Sequence, residues 1–576
     1  MSKLPFGELP PYRKRTFVPP EVDWDDQQAV ARLFDLLEEK LAACKSPEDL
    51  ERWLLEESEL TAALSEERTR RYIAMTTHTE DPEAEAEYLR FVENIQPISR
   101  ERGFRLAKLY TEHPLRPELP RDRYFVLDRA AETQVRLFRQ ENIPLQTEET
   151  RLGQQYQKLS GSLTVEFQGR EQTLVQMAKY LEEPDRELRR EAWELTARRR
   201  LQEADEFESI FDRLLEIRNS IARNAGFESY VDYAFLDRGR FDYTPQDCLE
   251  FHEAIEQEVL PLVRELQERR RKEMGLESLR PWDLAADPKG RPPLMPFQDA
   301  QELEQKAERV LDRLDPELGR DFRTMRELRL LDLDNRKGKA PGGYQSTLSE
   351  ARLPFIFMNA VGLQRDVETI LHEAGHAFHA LATREEDLHP YRHAPLEFAE
   401  VASMSMELLG SAFLEEFYPS PEEAARARRA HLEGIVTFFP WMAVVDGFQH
   451  WIYTHPEHTR EERAEAFDAL MVRFGGDVDW RGFEDVRRQT WHRQLHIFLS
   501  PFYYVEYGIA QLGALQVWRN WKRQGRGALE AYRRALALGG SRPLPELFRV
   551  AGAEFRFDAP TIRPLMEMIQ AELAEL

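Results

Sequence analysis

The chain has 576 residues, ample for a large buried core and more than one lobe. With 79 Lys and Arg against 104 Asp and Glu, its net charge is −25, which argues against a nucleic-acid or anionic-membrane partner. Two cysteines, Cys44 and Cys248, exclude a disulfide framework or a cysteine metal cluster and point to a reducing, cytoplasmic setting.

The opening stretch MSKLPFGELPPYRKR has no apolar core and does not read as a secretory signal, and no run of about 18 apolar residues occurs to span a membrane. From Asp25 the period is helical: Val30, Leu33, Phe34, Leu37, Leu41 and Cys44 fall on one face. Ser46 and Pro47 read as cap and first residue of a second helix running through Leu60. Further helices are expected over 81–95, 101–110 and 128–141, with charge runs such as Glu66 to Arg71 as solvated faces. Leu163, Val165 and Phe167 alternate with polar residues before Gln168-Gly169, which predicts a short hairpin. A domain boundary is placed near residue 180, giving 1–180 as an N-terminal helical lobe and 181–576 as a catalytic region. Long helices resume over 204–224 and 246–275, an irregular connection covers 276–297, and another helix covers 299–314.

Lys337 to Gly343 (KGKAPGG) leads into an apolar run, Arg352 to Asn359, of strand character. Gly342 and Gly343 offer backbone amides to a substrate backbone, or form an ordinary turn. Gly362 then turns the chain, Asp366 reads as a helix cap, and Val367, Ile370, Leu371, Ala374 and Phe378 give a helical stripe. On that helix stand His372, Glu373 and His376, a His-Glu-x-x-His arrangement. Residues four apart share a face, so both imidazoles can reach one ion, and Glu373 can hold a water beside it. Composition alone would give about 0.04 such matches in a chain this long, so the motif is read as chemistry. It is the arrangement a zinc hydrolase needs. His379, three residues on, reads as a core or surface histidine before a cleft residue.

A catalytic zinc takes three protein ligands and a water. The next helix, 395–417, carries Glu400 and Glu407 seven apart on one face of an apolar stripe. Buried carboxylates are costly unless paired or bound to metal. Glu400 is therefore a ligand candidate and Glu407 a candidate partner for an imidazole, with Glu397 competing for the ligand role. Farther on, His496, Tyr503, Tyr504 and Tyr507 cluster around Pro501, where the hydroxyls serve either an oxyanion or core packing. His431, His450, His455 and His458 show no spacing for a second metal.

Glu400 lies 24 positions past His376, farther than the third ligand of thermolysin-like or membrane-alanyl-aminopeptidase-like enzymes. The chain instead resembles the oligoendopeptidase F and thimet oligopeptidase family. His372-Glu373-Ala374-Gly375-His376-Ala377-Phe378 looks like that family's metal helix. Glu397-Phe398-Ala399-Glu400-Val401-Ala402-Ser403-Met404 looks like its third-ligand helix, with Glu400 at the ligand position. Gly342-Gly343-Tyr344, Pro354-Phe355-Ile356-Phe357, Arg280-Pro281-Trp282-Asp283 and Phe448-Gln449-His450-Trp451 also match. The resemblance runs from about residue 160 to the C-terminus. It is nearest the Pro-Phe-Tyr-Tyr, Pz-peptidase-like branch and departs from the glycine-tyrosine-rich loop of thimet-type members. Tyr504 and Tyr507 fall on the family's tyrosine positions, and His496 lies near its histidine position.

The resemblance implies a mainly α fold of two helical lobes enclosing a deep substrate channel, with a small β element beside the metal helix. It implies one zinc per chain, held by His372, His376 and Glu400, with Glu373 as general base and Tyr507, helped by His496 or Tyr504, on the oxyanion. Glu407, Glu397, Gly342, Gly343 and Tyr503 are expected to support the site or bind substrate. The implied activity is endopeptidase cleavage of short unstructured peptides. A zinc exopeptidase, a hydrolase of a non-peptide amide and a non-catalytic peptide-binding scaffold are the alternatives, and the oligomeric state is open.

Overall fold

The computed structural model describes residues 4–340 and 342–576, so Pro341 of the glycine loop lies outside the described residues. The architecture is mainly α, as expected, with five short strands among the described residues. Two hairpin strands, β1 (Thr164–Phe167) and β2 (Arg170–Thr173), pair antiparallel, and Gln168 and Gly169 between them take positive φ of 52° and 73°. Two consecutive left-handed residues match the twist of a tight hairpin, which Gly169 adopts without strain. Strands β3 (Leu331–Asp334), β4 (Tyr344–Leu348) and β5 (Leu353–Ala360) form a sheet in the order β3-β5-β4. β3 runs parallel and β4 antiparallel to the central β5, whose first six residues are buried.

The chain forms two units interleaved in sequence. The first joins Met1–Arg136, Met295–Ala427 and Gly513–Phe555. The second joins Leu137–Leu294, Arg428–Leu512 and Arg556–Leu576, so residue 180 falls within it. In the first unit, helices Gln27–Ala43 and Pro47–Thr77 bury Val30, Leu37, Leu50 and Trp53 in a core that also takes in Leu388 and Tyr391. The Ser46 capping box is present, but the helix it opens runs far past Leu60. Nor is the Glu66 to Arg71 run wholly a solvated face. Glu66 is buried, and its Oε2 accepts the amides of Glu350 (2.6 Å) and Ala351 (2.8 Å) just ahead of β5. A carboxylate at that depth persists because hydrogen bonds and Arg70 satisfy it.

In the second unit, the stretch expected as one helix over 246–275 is two, Pro245–Glu258 and Leu260–Glu273. Pro261 cannot donate within a continuing helix, which accounts for the break. The fully buried Arg218 donates to Tyr453 Oη (2.9 Å), Ile497 O (3.1 Å) and Glu149 (2.7 Å), tying three separate segments together. No helix among the described residues is long and apolar enough to cross a membrane.

Candidate metal centre

Everything at this site follows from the strand, turn and helix that begin at β5. Gly362, at φ 99°, turns the chain into helix Gln364–Ala382. Asp366 is not the cap residue, as the sequence suggested; it lies at the third helical position. From there its Oδ2 accepts the amides of Val361, Gly362 and Leu363 at 2.8, 3.0 and 3.0 Å. Leu363, at the cap position, has no polar side chain, so the carboxylate reaches back to do the capping.

Helix Leu396–Gly410 packs against the first helix at very close range. A Cβ added at Gly375 would lie 2.6 Å from both Ala402 O and Ser403 Cα, and one at Gly410 would lie 2.9 Å from Leu371 Cδ1. Glycine is required at Gly375 because the contact is backbone, which has no rotamer to yield. Tyr532 Oη fixes the facing backbone by donating to Ala402 O at 2.7 Å.

That approach brings the two imidazoles and the carboxylate together. Glu400 Oε2 lies 3.4 Å from His372 Nε2 and 3.6 Å from His376 Nε2, and the three donors lie within 4.8 Å of one another. Tetrahedral donors bonded at about 2.0–2.1 Å stand about 3.3 Å apart, so the spacing fits one zinc-sized ion. Glu407 Oε1 lies 2.6 Å from His372 Nδ1. With Glu407 accepting at Nδ1, the Nε2 lone pair is turned to the centre of the site. Ser403 Oγ donates to Glu400 Oε2 at 2.9 Å and orients the carboxylate.

The electrostatics follow from burial and these partners. Burial pushes the Glu373 carboxyl up to about 7; Glu400 and Glu407 add to the rise and His372 opposes it. Burial disfavours a charged His372, but hydrogen bonds to Glu400 and Glu407 more than offset it and hold the imidazole well above its ordinary range. His376 has no such partner, and burial lowers it to about 4. Burial works against the Glu400 carboxylate, yet His372, His376 and Ser403 keep it below its usual value.

Strand β4 is an edge strand, and the backbone amide of Gln345 on it lies against Glu373. Gly342 takes φ 97°, and Asn359 Nδ2 donates to its carbonyl and to Ala340 O, each at 2.8 Å. The loop ahead of β4 is thus held by β5 beside the metal helix. Glu397 is buried on the same helix as Glu400 but outside the donor group. His379 is a core histidine: its ring meets Phe398 edge-on, and burial lowers it to about 3.

His496, Tyr503, Tyr504 and Tyr507 belong to the second unit and do form a cluster there. The His496 ring lies 5.5, 5.0 and 6.1 Å from those of Tyr503, Tyr504 and Tyr507. Gln494 Nε2 lies 2.7 Å from His496 Nδ1, and burial holds that imidazole at about 4. Ser403, Gly375 and Tyr532 escaped the sequence reading as supporting residues. The three-residue step from Glu400 to Ser403 on one helix was a readable signal, whereas Tyr532 carried none.

Comparison with known proteins gives this geometry its context. The family model for peptidase family M3 matches residues 179–567, and that for the peptidase M3 N-terminal domain matches residues 20–138. The oligopeptidase PepF of Bacillus subtilis (strain 168) is 25% identical over 43% of this chain and 37% of its own length. An oligoendopeptidase F homolog of Borreliella burgdorferi is 23% identical over 55% of this chain and 54% of its own length. The matched region thus spans little more than half of these curated relatives at most. The solved structure of Pz peptidase A with inhibitor 2 superposes with a TM-score of 0.89 at 29% identity, covering 97% of this chain and 99% of that one. Oligoendopeptidase-F from Enterococcus faecium shares the fold at a TM-score of 0.64 and 17% identity, over 96% of this chain and 97% of that one. The site on the Gly375 helix pair lies within the longer of the two matched regions, and the chain belongs to peptidase family M3.

Proposed function

We propose that this chain is a zinc-dependent endopeptidase that hydrolyses internal bonds of short, unstructured peptides. The observation that carries the reading is the convergence of His372, His376 and Glu400 with Glu373 buried beside them. Two imidazoles and one carboxylate make up a catalytic rather than a structural zinc donor set, since the fourth position is left for water or substrate. When bound, zinc would polarise the scissile carbonyl and make water acidic enough to attack at neutral pH.

The chain's own residues do the rest. Glu407 and Ser403 hold His372 and Glu400 in the orientation that presents their donor atoms. The Glu373 carboxylate takes the proton of the attacking water and returns it to the leaving amine nitrogen. β4 offers an extended edge along which a peptide backbone can pair, with Gly342 and Gly343 ahead of it. Tyr507, with His496 or Tyr504, is assigned to the oxyanion on the family resemblance, and Tyr503 to its support. Substrates of limited length are supported by the names of the relatives, an oligopeptidase and oligoendopeptidases. One zinc per chain, a cytoplasmic location and a sequence-level division near residue 180 belong to the same reading.

The test is a short quenched peptide blocked at both ends, assayed with and without a zinc chelator. Internal cleavage that is lost with chelator and restored by zinc is the expected result. An intact blocked peptide alongside trimming of an unblocked one would make the enzyme an exopeptidase. Survival of both would favour a peptide-binding scaffold. Glu373→Gln should retain zinc and lose about 10²–10⁴-fold in turnover; full activity in that variant removes Glu373 from the mechanism.

A further inference from the structure

The segment between β3 and β4 carries two lysines that are placed very differently. The Lys337 side chain is 92% exposed and pairs with Glu80 at 3.4 Å. The Lys339 side chain has no exposed surface. Its Nζ donates to Asp332 O and Asp332 Oδ1 (both 2.9 Å), Asp334 O (2.8 Å) and Met358 O (2.5 Å). It also stands 4.5 Å over the Phe357 ring. The first three acceptors lie on β3 and the fourth on β5, so one ammonium ties the segment to two strands of the sheet.

Other bonds hold the same segment independently. Thr79 N donates to Gly338 O and Ala340 N to Thr76 O, each at 2.8 Å, at the end of helix Pro47–Thr77. Asn359 Nδ2 secures Ala340 O and Gly342 O. Tyr344, the first residue of β4, stacks on Phe357 at 4.8 Å and shares a 2.6 Å hydrogen bond with Thr76 Oγ1. One residue farther on, the Gln345 amide lies against Glu373. Burying an ammonium is expensive, and an apolar side chain of similar volume would fasten a loop at lower cost. What the ammonium adds is direction. Fixed acceptors define one place for Nζ, whereas apolar contact is non-directional and lets a loop slide.

We infer that Lys339, with Asn359, is a positioning residue for the peptide substrate: it sets where the β4 edge stands beside Glu373. The inference rests on the reading that this edge receives the peptide backbone. A displaced edge offers the same amides and carbonyls out of register with the zinc site, so a peptide held for cleavage gains less from pairing. That loss is shared by ground and transition states and therefore appears in KM rather than kcat.

The test is a cycle between Lys339 and the substrate backbone in the zinc-loaded, full-length chain. A quenched peptide blocked at both ends is compared with versions N-methylated at one backbone nitrogen each, which cannot donate there. In the wild type, methylation should raise KM at alternate positions, since alternate backbone groups of an extended chain face one edge. Lys339→Met should raise KM for the unmodified peptide about tenfold, keep kcat within about threefold and shrink the methylation penalty to about twofold or less. Zinc affinity, read by chelator competition, should not move. Lys337→Met should match the wild type throughout. A methylation penalty as large in Lys339→Met as in the wild type overturns the inference and leaves the edge reading standing. Indifference of the wild type to methylation at every position overturns both. Should Lys339→Met fail to fold, Asn359→Ala takes its place with the same expected pattern, and an unchanged penalty there is equally decisive.

Discussion

Gly375→Ala tests whether the metal centre depends on the separation of two helices. The added methyl would stand 2.6 Å from Ala402 O and Ser403 Cα. Ordinary contact begins near 3.4 Å, so the helices have to part by about 0.8 Å at this point. Both contacting atoms are backbone, and Tyr532 holds the Ala402 carbonyl from behind. Overpacking of this kind costs about 1–3 kcal/mol, against roughly 1 kcal/mol gained by removing a glycine from a helix interior. The net loss should be about 0–2 kcal/mol. Its consequence for the site is larger than for the fold. Glu400 rides on one helix and His372 and His376 on the other, while metal–ligand distances tolerate about 0.2 Å. Zinc affinity should fall at least about tenfold, the equivalent of 1.4 kcal/mol.

The assay is competition for zinc against a chromogenic chelator, with the urea midpoint measured in parallel. Gly434→Ala is the control, since a Cβ there meets nothing within 4 Å. It should leave zinc affinity unchanged and stabilise by about 0.5–1 kcal/mol. Wild-type affinity and midpoint in Gly375→Ala would refute the argument.

Other outcomes follow from the same geometry. Glu407→Ala should weaken zinc binding about 10–100-fold by freeing the His372 ring, checked by the same competition assay. Glu400→Ala should weaken zinc more than Glu397→Ala, and the reverse order would transfer the ligand role. Asp283 is fully buried between Arg186 and Arg189, at 2.8 and 3.1 Å. Burial raises its pKa, but the arginines and the Arg280 amide more than offset this and hold the carboxyl below its ordinary value. A depressed folded pKa contributes stability above the unfolded pKa, about 3.9, and loses it as pH falls toward the folded one. Asp283→Asn should therefore cost about 3 kcal/mol at pH 7 by leaving Arg189 uncompensated, and the deficit should shrink below about pH 4 in denaturant titrations. A deficit independent of pH would show that the charge is not what matters.

Features set by neighbours along the chain were legible in the sequence. The i, i+4 spacing of His372 and His376 dictates a shared helical face, and Glu400 with Glu407 follows the same helical rule. Ser46, Gln168-Gly169 and the apolar run of β5 carry their structures in local chemistry. Resemblance then supplied the choice of Glu400 over Glu397, which the residues alone left open. What needed the tertiary structure were distances between segments far apart in the chain. Only there does Gly375 become the contact that sets the site's width, and only there does Glu66 turn from a surface charge into a buried anchor for the turn before β5. The capping role of Asp366 also depends on where the preceding turn places three amides. Local sequence determines which face a side chain occupies, while the packing of helices decides what that face meets.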